Sequence, residues 1–132
     1  MALRQLNHFN IRAPQPLMAA VRDFYVNVIG LKPGFRPELG FAGYWLYLDD
    51  LAVLHIMDWP AGSASPSGER GYLDHIAFTC DDIDGFLARF DSMGITFIRR
   101  DYPRDDGNGF TQLEVSDPTG LGVELNFPHS LN

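Results

Sequence analysis

The chain has 132 residues, 45% of them hydrophobic and 20% charged, enough to bury a core in one domain or in one domain built from two small halves, and this excludes a disordered chain. Its net charge of −7 disfavours nucleic acid and anionic membrane surfaces, because phosphate binding needs clustered Lys and Arg. A single cysteine, Cys80, permits neither an internal disulfide nor a Cys-based zinc cage.

The start "MALRQLNHF" lacks the basic segment and apolar run of a signal peptide, and no apolar run approaches the ~20 residues of a spanning helix, so a soluble, cytoplasmic protein is expected. Residues 4–12 alternate as a strand, with Leu6, His8 and Asn10 on one face and Phe9 and Ile11 on the other. "APQP" breaks that ladder. From Leu17 the apolar residues fall at helical spacing through Val21, Phe24, Tyr25 and Val28, and Gly30 supplies the C-terminal stop. Strands are expected at 31–36, 44–49 and 51–57. "PAGSASPSGERG", residues 60–71, reads as a linker between halves; it lacks the Lys and following helix of a phosphate loop.

The order then restarts. A strand is expected at 72–80, with Cys80 as a small buried hydrophobe. Asp81 or Asp82 caps a helix whose stripe carries Ile83, Phe86, Leu87, Phe90 and Met93, and Gly94 closes it. Strands at 95–100, 110–116 and 121–127 follow, with "DPTG" at 117–120 as the last turn. The fold class expected is α+β: one domain over 1–132, made of two βαβββ modules at about 1–59 and 72–132. Two such units ordinarily pair to bury the face that each would expose alone.

The period of two puts His8, His55, His75 and Glu124 on the strand faces away from their most apolar neighbours. If those apolar faces pack on the helices, the polar faces form the inside of a curved mixed sheet. His8 and His75 occupy the first strand of each half, and His55 and Glu124 the last. One such residue on a strand is ordinarily solvated; four in register with a repeat point to a metal site. Imidazole and carboxylate suit one divalent ion among Fe, Zn, Ni, Co and Mn. His129, in the tail, falls outside the pattern.

On "LNHFNI" and "LDHIAF", "FYVNVIGLKP" and "DPTGLGVELNF", the chain resembles the vicinal oxygen chelate superfamily of glyoxalase I, bleomycin-resistance proteins, fosfomycin-resistance enzymes and extradiol dioxygenases. The resemblance implies two βαβββ modules forming a cup, a homodimer, and one divalent metal per cup. It implies His8, His75 and Glu124 as ligands, with His55 as a fourth ligand or general base. Glyoxalase I carries a glutamate at the His55 position, and the extradiol enzymes have a catalytic His and Tyr in the region of Phe110 and Glu114, so this chain departs from both. Metal-free binding of a small molecule, as in the bleomycin-resistance proteins, is the alternative.

Further pocket candidates are Trp45 or Tyr47, depending on register, and Tyr102 and Arg104 in the polar segment 99–109. Asn10 and Asn126 share the face of the expected ligands. The expected reaction is lyase, isomerase or ring-cleaving oxygenase chemistry on a small oxygenated substrate that chelates the metal through two oxygens.

Overall fold

In the first half of the chain the periodicities become strand β1 (Phe9–Ala13), helix α1 (Gln15–Phe24) and strands β2 (Lys32–Pro33), β3 (Gly43–Leu48) and β4 (Leu51–Asp58). Helix α1 follows Pro14 and carries Pro16 in its first turn, where a missing N–H breaks no helical bond. One π-helical turn, Tyr25–Ile29, prolongs it and keeps Tyr25, Val28 and Ile29 buried. Gly30 closes this turn at φ 104°, and the Gly30 and Leu31 N–H groups both donate to the Tyr25 carbonyl. The strands form one mixed sheet in the order β1-β4-β3-β2, with β1 parallel to β4. Helix α1 packs on β1, β3 and β4, and Ile11, Leu46, Leu54 and Ile56 are buried beneath Met18 and Val21. Each such side chain contributes about 1.5–3 kcal/mol by leaving water.

The second half repeats the plan as β5 (His75–Thr79), α2 (Ile83–Met93), β6 (Ile98–Tyr102), β7 (Phe110–Ser116) and β8 (Gly122–Pro128). Its sheet has the order β5-β8-β7-β6, again with the first strand parallel to the last. Asp82 is the cap of α2, accepting from the Gly85 N–H at 3.1 Å, and Gly94 ends the helix at φ 66°. Phe90 is fully buried on α2, and the Phe86 ring meets Phe127 of β8 edge-on at 5.6 Å. Between β7 and β8 the buried Asp117 side chain accepts from the Thr119 N–H (2.7 Å), the Thr119 hydroxyl (2.6 Å) and the Leu121 N–H (3.1 Å). The expected DPTG turn is therefore tied by one carboxylate.

The computed structural model describes residues 2–58 and 72–131, and the expected linker at 60–71 lies outside them. The chain divides into two units, Met1–Gly68 and Glu69–Asn132. Several element bounds differ from expectation. Residues 4–8 carry no ladder, so β1 starts at Phe9 rather than residue 4. The strand expected at 31–36 shrinks to Lys32–Pro33, because Pro33 lacks an N–H and Pro37 follows. The strand expected at 95–100 starts at Ile98, because the left-handed Gly94 closes α2 with a bond from the Ile95 N–H to the Phe90 carbonyl. Cys80 is half-buried; burial and the neighbouring Asp81 push its thiol up to about 11, which leaves it protonated and unreactive. Among the described residues no helix is long and apolar enough to cross a membrane.

Candidate metal and substrate site

Register decides which side chains share a sheet face. In the first unit Asn10 and Trp45 both stand opposite His55, and Gly43 opposite Met57. These residues occupy the face away from α1, whereas Tyr44 points to the helix and lies under the Arg22 guanidinium at 4.6 Å. Of the two aromatics left open by the alternation, Trp45 and Tyr47 both lie on the His55 face. The three rings form a continuous stack: Trp45 on His55 at 4.1 Å and 4°, and His55 on His8 at 3.8 Å and 14°. His8 itself is exposed, just ahead of β1, with Nδ1 at 2.8 Å from the side-chain amide oxygen Oδ1 of Asn7.

Burial between these rings, the neighbouring His8 and the Arg36 charge push the His55 imidazole below its ordinary 6.5, against a hydrogen bond from the ring to the Ala52 backbone carbonyl that raises it. Asn10 donates to the Met57 sulfur at 3.1 Å.

The segment after β2 supplies a group that the sequence pattern did not single out. The Tyr47 hydroxyl donates to the Phe35 carbonyl at 2.5 Å. Arg36 lies across Gly43, where a Cβ would come within 2.9 Å of its terminal nitrogen and 2.5 Å of the Ile56 carbonyl. Its terminal nitrogen donates to the Phe41 carbonyl at 3.0 Å, and the guanidinium sits 5.1 Å from the Phe41 ring centre. The Arg36 Nε is buried and, among the described residues, has no hydrogen-bond partner. The sequence signal for it was a lone arginine in "PGFRPELGFAG", but its neighbour Gly43 is reached only through the fold.

In the second unit the equivalent face carries His75, Glu124 and Glu114. His75 Nδ1 lies 2.9 Å from the Asp74 carboxylate, and Nε2 lies 3.6 Å from Glu124. The Asp74 contact first, then Glu124 and Glu114, hold the His75 imidazole above its usual 6.5. Glu114 stands directly opposite Glu124 and pairs with Arg100. Asn126 accepts from the Gln112 amide at 3.1 Å on the same face. Tyr102 stacks on Phe110 at 4.8 Å at the end of β6. Arg104 lies beyond that strand and pairs with Asp106 at 2.7 Å.

Of the four expected ligands, each unit thus brings two together: His8 with His55, and His75 with Glu124. Within either unit, among the described residues, no group of three or more His, Cys, Asp or Glu side chains is arranged to hold a metal ion.

The sequence profile of the Glyoxalase/Bleomycin resistance protein/Dioxygenase superfamily matches residues 5–125. The chain belongs to this superfamily. No curated protein matches the sequence. Among solved structures, a glyoxalase family protein from Bacillus anthracis is 25% identical, with a TM-score of 0.71 over 97% of this chain and 98% of that one. TnmS3, an antibiotic binding protein from Streptomyces sp. CB03234, is 24% identical, with a TM-score of 0.65 over 97% and 98%. A variant of the fosfomycin resistance protein FosX from Listeria monocytogenes, complexed with Mn(II) and 1S,2S-dihydroxypropylphosphonic acid, is 16% identical, with a TM-score of 0.67 over 96% and 94%. Solved proteins of this fold thus include one complexed with Mn(II) and one antibiotic binder, and the two four-stranded mixed sheets match the fold of the superfamily.

Proposed function

We propose that the chain is a metal-dependent enzyme of the superfamily, acting on a small oxygenated molecule that chelates one divalent metal through two oxygens. His8, His75 and Glu124 are the ligands, and the assembly is a homodimer; the donors need not all come from one chain. The observation that carries this reading is the His75–Glu124 pair. Asp74 engages Nδ1 of His75 and leaves Nε2 turned toward a carboxylate at 3.6 Å, the way a carboxylate orients a ligating imidazole. Imidazole nitrogen and carboxylate oxygen form a donor set that fits Fe, Zn, Ni, Co or Mn.

A metal bound there would supply Lewis-acid polarisation of a substrate carbonyl or stabilisation of an oxyanion. His55 serves as the general base. Its ring is clamped face-to-face between Trp45 and His8. Its lowered proton affinity keeps it neutral, and so able to accept a proton, near pH 7. Trp45 and Tyr47 position a flat substrate against that face. Lyase or isomerase chemistry fits this arrangement better than ring cleavage. The extradiol route asks for His and Tyr where Phe110 and Glu114 stand, and Glu114 is committed to Arg100.

The test is metal content. Protein loaded with divalent metal and desalted is expected to hold about one ion per chain, and His75→Ala to hold none; full retention by that variant would sink the proposal. A second reading, metal-free binding of a planar small molecule, is favoured by the Trp45–His55–His8 stack, which offers a ready aromatic platform, and by the likeness to an antibiotic binder. Ligand-induced stabilisation that persists in excess chelator would select it.

A further inference from the structure

We infer that Arg36 is an anion-recognition residue and that the small molecule bound on the His55 face carries a carboxylate. This rests on the reading of that face as a substrate site and adds the chemical class of the substrate.

Arg36 is built into place without being neutralised. Gly43, opposite Met57 in the ladder, leaves the space over which the guanidinium lies; a side chain there would strike both Arg36 and the Ile56 carbonyl. The Phe41 carbonyl takes one of its five N–H donors, and the Phe41 ring covers the cation. Among the described residues no carboxylate forms an ion pair with it. Glu38, two residues on, instead accepts from the Gly40 N–H at 3.3 Å.

Among the described residues the buried Nε is left with no partner, although an orphaned buried donor costs about 1–3 kcal/mol. A chain with net charge −7 has carboxylates to spare for a purely structural arginine. An arginine held in position by Phe41, with no ion pair among the described residues, is poised for an acceptor brought from outside. It lines an open depression of about 520 Å³ together with Glu38, Phe41, Gly43 and Tyr44.

The planar guanidinium fork matches a carboxylate through two parallel N–H···O bonds. A phosphate dianion fits less well, since a single guanidinium would face two charges in a depression also lined by Glu38. The structure thus assigns a monoanionic carboxylate, with Phe41 offering its carrier an aromatic wall.

The experiment uses the metal-free, 15N-labelled full-length chain, titrated with benzoate, benzamide and inorganic phosphate and read at the Arg36 Nε–H and Gly43 N–H resonances. Benzoate is expected to shift both saturably, at least about tenfold more tightly than neutral benzamide, the equivalent of 1.4 kcal/mol. Arg36→Lys, which keeps the charge and loses the fork, weakens benzoate binding at Gly43, and Arg36→Gln abolishes it. Absence of a saturable shift, equal binding of benzamide, or a preference for phosphate overturns the inference. A separate arm with metal-loaded protein and 4-methylcatechol, a neutral chelator, reports on the metal reading alone, so the two fail independently.

Discussion

Glu114 of β7 and Glu124 of β8 face each other directly across an antiparallel ladder, two like charges on one side of the sheet. Such a pair is destabilising unless each charge has its own counterion. Arg100, from the neighbouring strand β6, pairs with Glu114, and His75 of β5 approaches Glu124 at 3.6 Å. The four side chains form a row across the sheet, the two carboxylates adjacent in the middle and a basic side chain at each end. Arg100→Ala is therefore expected to lower the urea midpoint, and Glu114→Gln introduced into that variant to recover part of the loss. A double variant no more stable than Arg100→Ala would show that the row is not coupled.

The two histidines with shifted protonation titrate on opposite sides of 6.5. His55 is held below it by burial first, then by His8 and Arg36; His75 is held above it chiefly by Asp74 and the facing glutamates. For His55 the unfolded chain binds more protons just below pH 6.5, so its contribution is complete above that value and is lost as pH falls through the folded one. For His75 the contribution is complete below 6.5 and is lost as pH rises through the folded value. Imidazole Cε1–H titrations of the metal-free protein should place the His55 midpoint below that of His75. The reverse order would contradict the burial of His55 between Trp45 and His8. His55→Phe, which keeps a ring in the stack, should flatten the stability profile on the acid side only.

Metal binding should appear as stability. A divalent ion at a hundredfold excess over its dissociation constant raises the unfolding free energy by about 2.7 kcal/mol. Glu124→Gln, which preserves shape and removes the anionic donor, should lose most of the rise in Tm that Zn, Ni, Co or Mn produces. Equal metal stabilisation of the variant and the parent would remove Glu124 from the donor set.

Gly43 has no room for a side chain: its Cβ would meet the Ile56 carbonyl at 2.5 Å and the Arg36 guanidinium at 2.9–3.0 Å. Gly43→Ala is expected to cost about 1–3 kcal/mol, the usual range for forced overpacking, measured by urea unfolding. A loss well below 1 kcal/mol would mean that Arg36 moves aside freely.

Much of the fold was legible because the signals were local. Helix stripes, the glycines at 30 and 94, and the Asp117 turn each act within a few residues, and the two halves repeat one sheet order. What misled was the length of strands. Alternation in residues 4–8 continues ahead of the first β1–β4 pair, Phe9 with Leu54, and Pro33 cuts β2 short. The four ligand-type residues were visible from their period of two. The Trp45–His55 stack was not, because it depends on which residue of β3 faces which residue of β4. Arg36 was invisible for the same reason: the glycine that makes space for it lies seven residues on, across the sheet face. Arg104, expected as a pocket candidate, is instead part of a turn closed on Asp106.

The tied turn at Asp117 bears on the chemistry from a distance. A strand that slips by one residue presents its opposite side, so a slip in β8 would bury Glu124 and turn Val123 or Leu125 outward. Three hydrogen bonds to one carboxylate hold the five-residue connection to a single length and fix Ser116 opposite Gly122. The corner thereby works as a gauge block: it sets no bond to a ligand itself, yet the handedness of everything presented by the last strand is measured from it.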